Sequence, residues 1–146
     1  MDKLIEALKR VLADTFAFRI KAQYYHWNVE GPDFKQYHDL FSDLYTSADA
    51  NIDDIAEHIR ALDAYAPGSF SRFSQLTSIQ DENTIPAPLE MITRIAADNQ
   101  KLHTGLMTAH AIADELGQRG VVNFLEGLID SNEKTQWMLR STVKRV

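Results

Sequence analysis

The sequence predicts an all-α fold, a four-helix bundle, on three observations. Four long stretches repeat apolar residues at spacings of three and four, the period of a helix with one buried face. No stretch makes a convincing strand. The second and third helical stretches are joined by a connection of about 25 residues, which suits a crossover rather than a tight hairpin. Helices of this length would build a bundle about 40 Å long. With no repeat or low-complexity segment, residues 1–146 read as one domain.

The first helix is expected over residues 2–29, with Leu4, Leu8, Val11, Leu12, Thr15, Phe18 and Ala22 on its inner face. Gly31-Pro32-Asp33 breaks it, and Asp33 is placed to cap the next helix. The second helix is expected over 34–63. Its stripe runs Phe34, Tyr37, Phe41, Leu44, Ala48, Ile52, Ile55, Ile59 and Leu62. At 100° per residue these positions fall within an arc of about 80°. Pro67-Gly68 closes it. Residues 69–79, with Phe70, Phe73 and Leu76, suggest a short helical turn, and 81–88 a loop. The third helix spans 89–116 on Leu89, Ile92, Ala96, Leu102, Leu106, Ala109, Ala113 and Leu116, with Gly117 as its C-terminal cap. The fourth spans 119–143 on Val122, Leu125, Leu128, Ile129, Trp137 and Met138.

Composition narrows the function. Apolar residues make up 45% and charged residues 25%, ordinary for a soluble globular chain. Charges interrupt every apolar stretch, so no membrane span is expected. The first residues are amphipathic and acidic, unlike a signal peptide. The absence of cysteine excludes disulfides, thiol catalysis and Cys-ligated zinc, and fits a cytoplasmic protein. A net charge of −6 argues against a nucleic-acid-binding surface and for cation binding.

The chemistry concentrates around the first hairpin. His26 precedes the Gly31-Pro32 turn and His38 follows it by a similar distance, so an antiparallel hairpin sets them at one height. Imidazole suits iron, zinc or copper. Asp53 and Glu57, four residues apart, present two carboxylates on one helix face. Asp53 nevertheless lies about 22 Å along the helix from His38. One hairpin cannot join the two halves, but two antiparallel copies about a two-fold axis can, giving two mixed His/carboxylate sites per dimer. On the helical wheel, relative to His38, Asp49 lies near about 20°, Ser42 about 40°, Asp53 about 60° and Glu57 about 100°. The apolar stripe lies at about 240–320°, so the polar strip is separate from the core face.

Plainer readings stand beside this one. Acids on a helix flank are ordinarily a solvated face, and a lone histidine is ordinarily a hydrogen-bonded packing residue. Tyr24, Tyr25, Trp27 and Trp137 read as core or interface aromatics. His58, His103 and His110 show no matching carboxylate pattern and read as structural or exposed. The Glu-x-x-His pairs of di-iron bundles are missing, which counts against a centre inside each subunit.

The run Lys21-Ala22-Gln23-Tyr24-Tyr25-His26-Trp27-Asn28-Val29-Glu30-Gly31-Pro32-Asp33-Phe34 closely resembles the Dps family, the mini-ferritins also called DNA-binding proteins from starved cells. The likeness continues through His38-Asp39-Leu40-Phe41, through Asp53, Ala56, Glu57 and Ile59-Arg60-Ala61-Leu62, and to Glu133, Lys134 and Trp137-Met138-Leu139. The resemblance implies a ferritin-like bundle whose extra short helix, here 69–79, lies at a dimer interface within a hollow dodecamer. It implies ferroxidase centres between two-fold-related subunits. His26 and His38 would be metal ligands from one chain, with Asp53 and Glu57 from its neighbour. Trp27 would stand beside the centre and intercept oxidising equivalents. Fe(II) would be oxidised, preferably by hydrogen peroxide, and stored as ferric mineral, with zinc a competing ion.

The chain departs from the family in two places. Many members carry an acid one turn after the second histidine, where this chain has Ser42, a weak iron ligand. One firm metal position and one weakened one are therefore expected. Members that condense DNA often carry a mobile basic extension. Here the first helix starts almost at Met1, and the basic terminal cluster is only Arg140, Lys144 and Arg145. Weak or absent DNA binding is expected. The acids Glu126, Asp130 and Glu133 have the spacing to line a pore at a three-fold axis, and equally that of a solvated helix surface. Two competing readings are a DNA-protecting shell with little catalysis, and a structural shell whose site is degenerate at Ser42.

Overall fold

Residues 1–144 are described by a computed structural model of five helices. They are α1 (Asp2–Asn28), α2 (Phe34–Ala61), α3 (Phe70–Leu76), α4 (Pro88–Glu115) and α5 (Arg119–Val143). No strand occurs among the described residues. Helix α1 packs on α2 and on α4, α4 packs on α5, and α3 lies against α1.

The helices end where local chemistry stops them. Val29 leaves α1 in an extended conformation, and Gly31 turns the chain at φ 126°, a region closed to most side chains. Asp33 precedes α2 as expected but makes no side-chain cap. At φ −100°, ψ 24° it lacks the extended backbone that aims a capping carboxylate at the first-turn N–H groups. The C-termini of α2 and α4 close alike. Past α4, Gly117 takes φ 68°, the Gln118 N–H donates to the Ala113 carbonyl, and the Gly117 N–H donates to the Asp114 carbonyl. Past α2 the left-handed position is held by Asp63 at φ 61°. The Ala64 N–H donates there to the Ile59 carbonyl and the Asp63 N–H to the Arg60 carbonyl. This closure ends α2 two residues before the expected limit.

The long connection is held rather than loose. Ser69 Oγ accepts the Arg72 N–H and starts α3, which is shorter than the expected 69–79. Phe73 stacks on Phe16 of α1 with ring centroids 4.7 Å apart. Beyond α3, Asp14 of α1 accepts the Thr77 hydroxyl at 2.7 Å, the Ser78 N–H at 2.7 Å and the Ser78 hydroxyl at 3.0 Å.

The core divides into two apolar clusters. One gathers Leu4, Leu8, Leu12, Ile55, Ile59, Leu106, Val122 and Leu125. The other, at the α1–α2 turn end, gathers Phe18, Tyr25, Phe41, Leu44, Met91, Ile92, Ile95 and Leu139. Between them along α1, α4 and α5 lie the buried polar residues Asp14, Thr15, Asp98, Asn99 and Asn132. Asn132 Nδ2 donates to Asn99 Oδ1 at 2.9 Å, and Asn99 Nδ2 donates to Gln136 Oε1 at 2.7 Å. Lys21 Nζ lies 2.7 Å from Asp98 Oδ2 and donates to the Gln80 carbonyl. The Lys21–Asp98 contact is a buried ion pair, and Asp98 Oδ2 has no hydrogen-bond partner besides it.

Five residues assigned to apolar stripes are exposed: Phe34, Leu89, Leu116, Trp137 and Met138. The first three lie at or just beyond helix ends, where no opposing helix covers them. Trp137 and Met138 sit about 120° and 220° around α5 from buried Leu125, off the face that Leu125, Asn132 and Leu139 share.

Candidate metal centre

His26 lies in the last turn of α1 and His38 in the second turn of α2. Their rings stack with centroids 3.7 Å apart and planes 17° from parallel. The Nδ1 of His26 lies 2.7 Å from the His38 carbonyl oxygen, and the Nδ1 of His38 lies 2.7 Å from the His26 carbonyl oxygen. A carbonyl only accepts, so each Nδ1 carries the proton and donates. In the neutral rings, each Nε2 then keeps a free lone pair. This is the tautomer a metal-binding imidazole needs, fixed by the hydrogen bond at its other nitrogen. Phe34 stacks on His38 and Tyr45 meets His26 edge-on, which holds both rings.

A polar buttress stands behind this pair. Tyr25, the residue before His26, is fully buried. Its hydroxyl donates to Glu82 Oε1 at 2.8 Å, and Arg94 Nη1 donates to the same oxygen at 2.8 Å. The Thr84 hydroxyl donates to Glu82 Oε2 at 2.9 Å. The Glu82 side chain is only 8% exposed. Burial alone would raise its carboxyl, but the hydrogen bonds from Tyr25, Arg94 and Thr84 outweigh that and hold it at about 2. Burial, with Glu82 adding to it, pushes the Tyr25 phenol well above its ordinary value. The last turns of α1 are thereby tied to the connection and to α4.

The carboxylates stand elsewhere. Asp53 and Glu57 are exposed on α2, which runs unbroken from Phe34 to Ala61. The separation of about 22 Å from His38 therefore stands. Among the described residues, no group of three or more His, Asp or Glu side chains gathers in a metal-holding arrangement within one chain. On the same polar strip Asp49 is engaged by Arg19 Nε at 2.8 Å, and Ser42 is half-buried one turn after His38. Trp27 is 66% exposed beside His26. Among the described residues, the interior of the bundle gathers no comparable ligand set. A cavity of about 330 Å³ between α2 and α5 has Asn51, Asn99 and Asn132 in its wall, a single carboxylate (Asp43) and no histidine.

Two readings of the remaining histidines need correction. His103 and His110 do have carboxylate partners: His103 Nε2 lies 3.0 Å from Glu133 Oε1, and His110 Nε2 lies 3.2 Å from Glu126 Oε1. The partners sit on a different helix, so spacing within one helix could not reveal them. A shared interval of seven residues on two antiparallel helices is compatible with both pairs, but it does not set the register that brings them together. His58 is structural, stacked on Phe124 at 3.9 Å with its Nδ1 donating to the Asp54 carbonyl. Of the aromatics, Tyr25 is core, Tyr24 donates its hydroxyl to the Thr84 carbonyl, and Trp137 is exposed. In the basic terminal cluster, Arg140 and Lys144 are exposed and Arg145 lies outside the described residues. No helix among the described residues is long and apolar enough to cross a membrane.

Known proteins repeat this architecture. The family model for the ferritin-like domain matches residues 5–146. A low temperature-induced protein of Nostoc is 34% identical over 97% of this chain and 80% of its own length. The DNA protection during starvation protein 2 of Bacillus anthracis is 30% identical over 95% of each chain. The crystal structure of a Dps protein from Vibrio cholerae O1, described as a member of a broad superfamily of ferritin-like diiron-carboxylate proteins, superposes with a TM-score of 0.94. It is 28% identical, over 98% of this chain and 90% of that one. The all-α bundle, the extra helix in its long connection and these matches agree: the chain belongs to the ferritin-like family and, within it, to the Dps proteins.

Proposed function

We propose that this protein oxidises Fe(II), preferably with hydrogen peroxide, at centres shared by two-fold-related copies, and stores the ferric product in a hollow shell. The observation that carries the reading is the reciprocal lock between His26 and His38. It prepares two Nε2 lone pairs on one chain and leaves both carboxylates far along α2 on an exposed face, Asp53 about 22 Å and Glu57 about 28 Å from His38. A second, antiparallel copy brings its own carboxylates to these imidazoles. Exposed Trp27 and Phe70, the latter 80% exposed, support a covering partner.

In this reading His26 and His38 bind Fe(II) through Nε2, and Asp53 and Glu57 supply charge that favours the ferric state. Two Fe(II) ions each give one electron to one peroxide. With two protons taken up, the products are two Fe(III) and two waters, and no hydroxyl radical is released. Ser42 offers only a weak oxygen to the second ion, so the two iron positions differ in affinity. Trp27, exposed beside His26, intercepts an oxidising equivalent that escapes in this reading. The working unit is a cytoplasmic dodecamer of single-domain subunits. Twelve copies carry about −72, so DNA is not retained at physiological salt. A mobility shift of DNA near about 150 mM salt, without bridging metal, would overturn that part.

The test is Fe(II) oxidation by stoichiometric peroxide without oxygen, in the protein and in a His26→Ala, His38→Ala variant that still assembles. Fast oxidation lost at least tenfold in the variant is expected, in line with loss of direct ligands. Equal slow rates in both would overturn the ferroxidase reading and favour a structural shell with a degenerate site.

A further inference from the structure

We propose that the seam between α4 and α5 carries two binding sites for a first-row divalent cation, one at His103 and Glu133, the other at His110 and Glu126. Each pair brings an imidazole Nε2 to a carboxylate oxygen, at 3.0 Å and 3.2 Å. Metal–ligand bonds of about 2.1 Å meeting at about 90–109° set two donor atoms about 3.0–3.4 Å apart. Both pairs already have the bite of a chelate, so a cation can replace the shared proton without moving the backbone. Imidazole with carboxylate suits Fe(II), Co(II) or Zn(II) better than magnesium or calcium, which prefer oxygen alone.

The surroundings suit cations too. The histidine side chains are 22% and 26% exposed, shielded along the seam, while the glutamates are 60% and 59% exposed and reachable from water. The pairs recur at seven residues on both helices, about 10 Å apart. Asp130 lies on the same face of α5 between Glu126 and Glu133, and it is exposed. A cation held by two protein ligands and water exchanges readily, which suits handing on along the seam rather than storage. Neither pair touches the His26/His38 centre, and cation binding here does not depend on the ferroxidase reading.

Co(II) is the probe, because peroxide and iron chemistry are then absent. Anomalous diffraction from Co(II)-soaked crystals of the unaltered protein is expected to show one ion at each pair. Equilibrium dialysis is expected to lose two Co(II) per chain in His103→Gln, His110→Gln. It is expected to lose the same two in Glu126→Gln, Glu133→Gln, with helical content unchanged in both. No anomalous density at either pair, or a Co(II) stoichiometry unchanged in either double variant, would overturn the proposal. Failure of iron oxidation in the unaltered protein would leave these outcomes as they are, so the two proposals fail separately.

Discussion

The middle of the bundle and the α1–α2 turn both place polar side chains among apolar ones, with opposite results. In the middle, polar groups close on one another: Asn132 on Asn99, Asn99 on Gln136, Asp14 on Thr77 and Ser78, and Lys21 on Asp98. At the turn, His26 and His38 bond each other through Nδ1 only and keep Nε2 free. The difference teaches where ligand chemistry can reside in this fold. Two oxygens of the middle, Asp98 Oδ2 and Asn132 Oδ1, are left without a hydrogen bond, but the other polar groups there have their partners inside the chain and little left for a ligand. A half-buried group tied at one end is oriented and still available.

The comparison breaks hardest at the buried ion pair. Asp98→Ala would leave the Lys21 ammonium charged and buried, and is expected to destabilise the fold by about 3–5 kcal/mol. Chemical denaturation measures it, with the rate of iron oxidation per folded chain unchanged. A loss under about 1 kcal/mol would show that Lys21 escapes to water and that the middle is not closed. The His26→Ala, His38→Ala variant should do the reverse. Its two lost hydrogen bonds cost about 1–2 kcal/mol in all, while iron oxidation falls at least tenfold.

A pH-dependent effect is confined to the buttress behind the turn. The Glu82 carboxyl is held at about 2 in the folded protein, below the ordinary carboxylate value of about 4.3. Its contribution is therefore complete above that ordinary value and is lost as pH falls through about 2. Thermal midpoints of the protein and of Glu82→Gln, measured from pH 6 down to pH 2, should converge toward the acid end. Parallel curves would show that Tyr25 and Arg94 do not stabilise the charged carboxylate. The smallest effect is expected at Asp63, whose left-handed φ of 61° closes α2. Asp63→Gly removes that strain and should stabilise by about 0.5–1 kcal/mol, read as a shift in denaturation midpoint. A loss instead would mean that the aspartate side chain itself holds the closure.

Much of this molecule was legible before its structure. Helical boundaries followed from apolar periodicity and from Gly31-Pro32 and Gly117, since both signals are local. The exceptions were local in another way. Asp33 carries a capping side chain, but the turn closed by Gly31 and Phe34 denies it the required backbone angles. Trp137 and Met138 are apolar in type, yet their angular positions on α5 put them off the core face.

By itself the sequence determined four long helices, one long connection, a family, and a set of four candidate ligands that no single hairpin can unite. The helices and the ligand spacing need only the helical period and a fixed rise per residue, and the family rests on the likeness of residues 21–34 and the segments that continue it. Tertiary structure alone decided the mutual lock of His26 and His38, the polar layer around Asn99 and Asn132, and the pairing of His103 and His110 with acids of α5. Each depends on which atoms of residues distant in the chain come within about 3 Å, and that distance is set by helix register and packing, which no periodicity encodes.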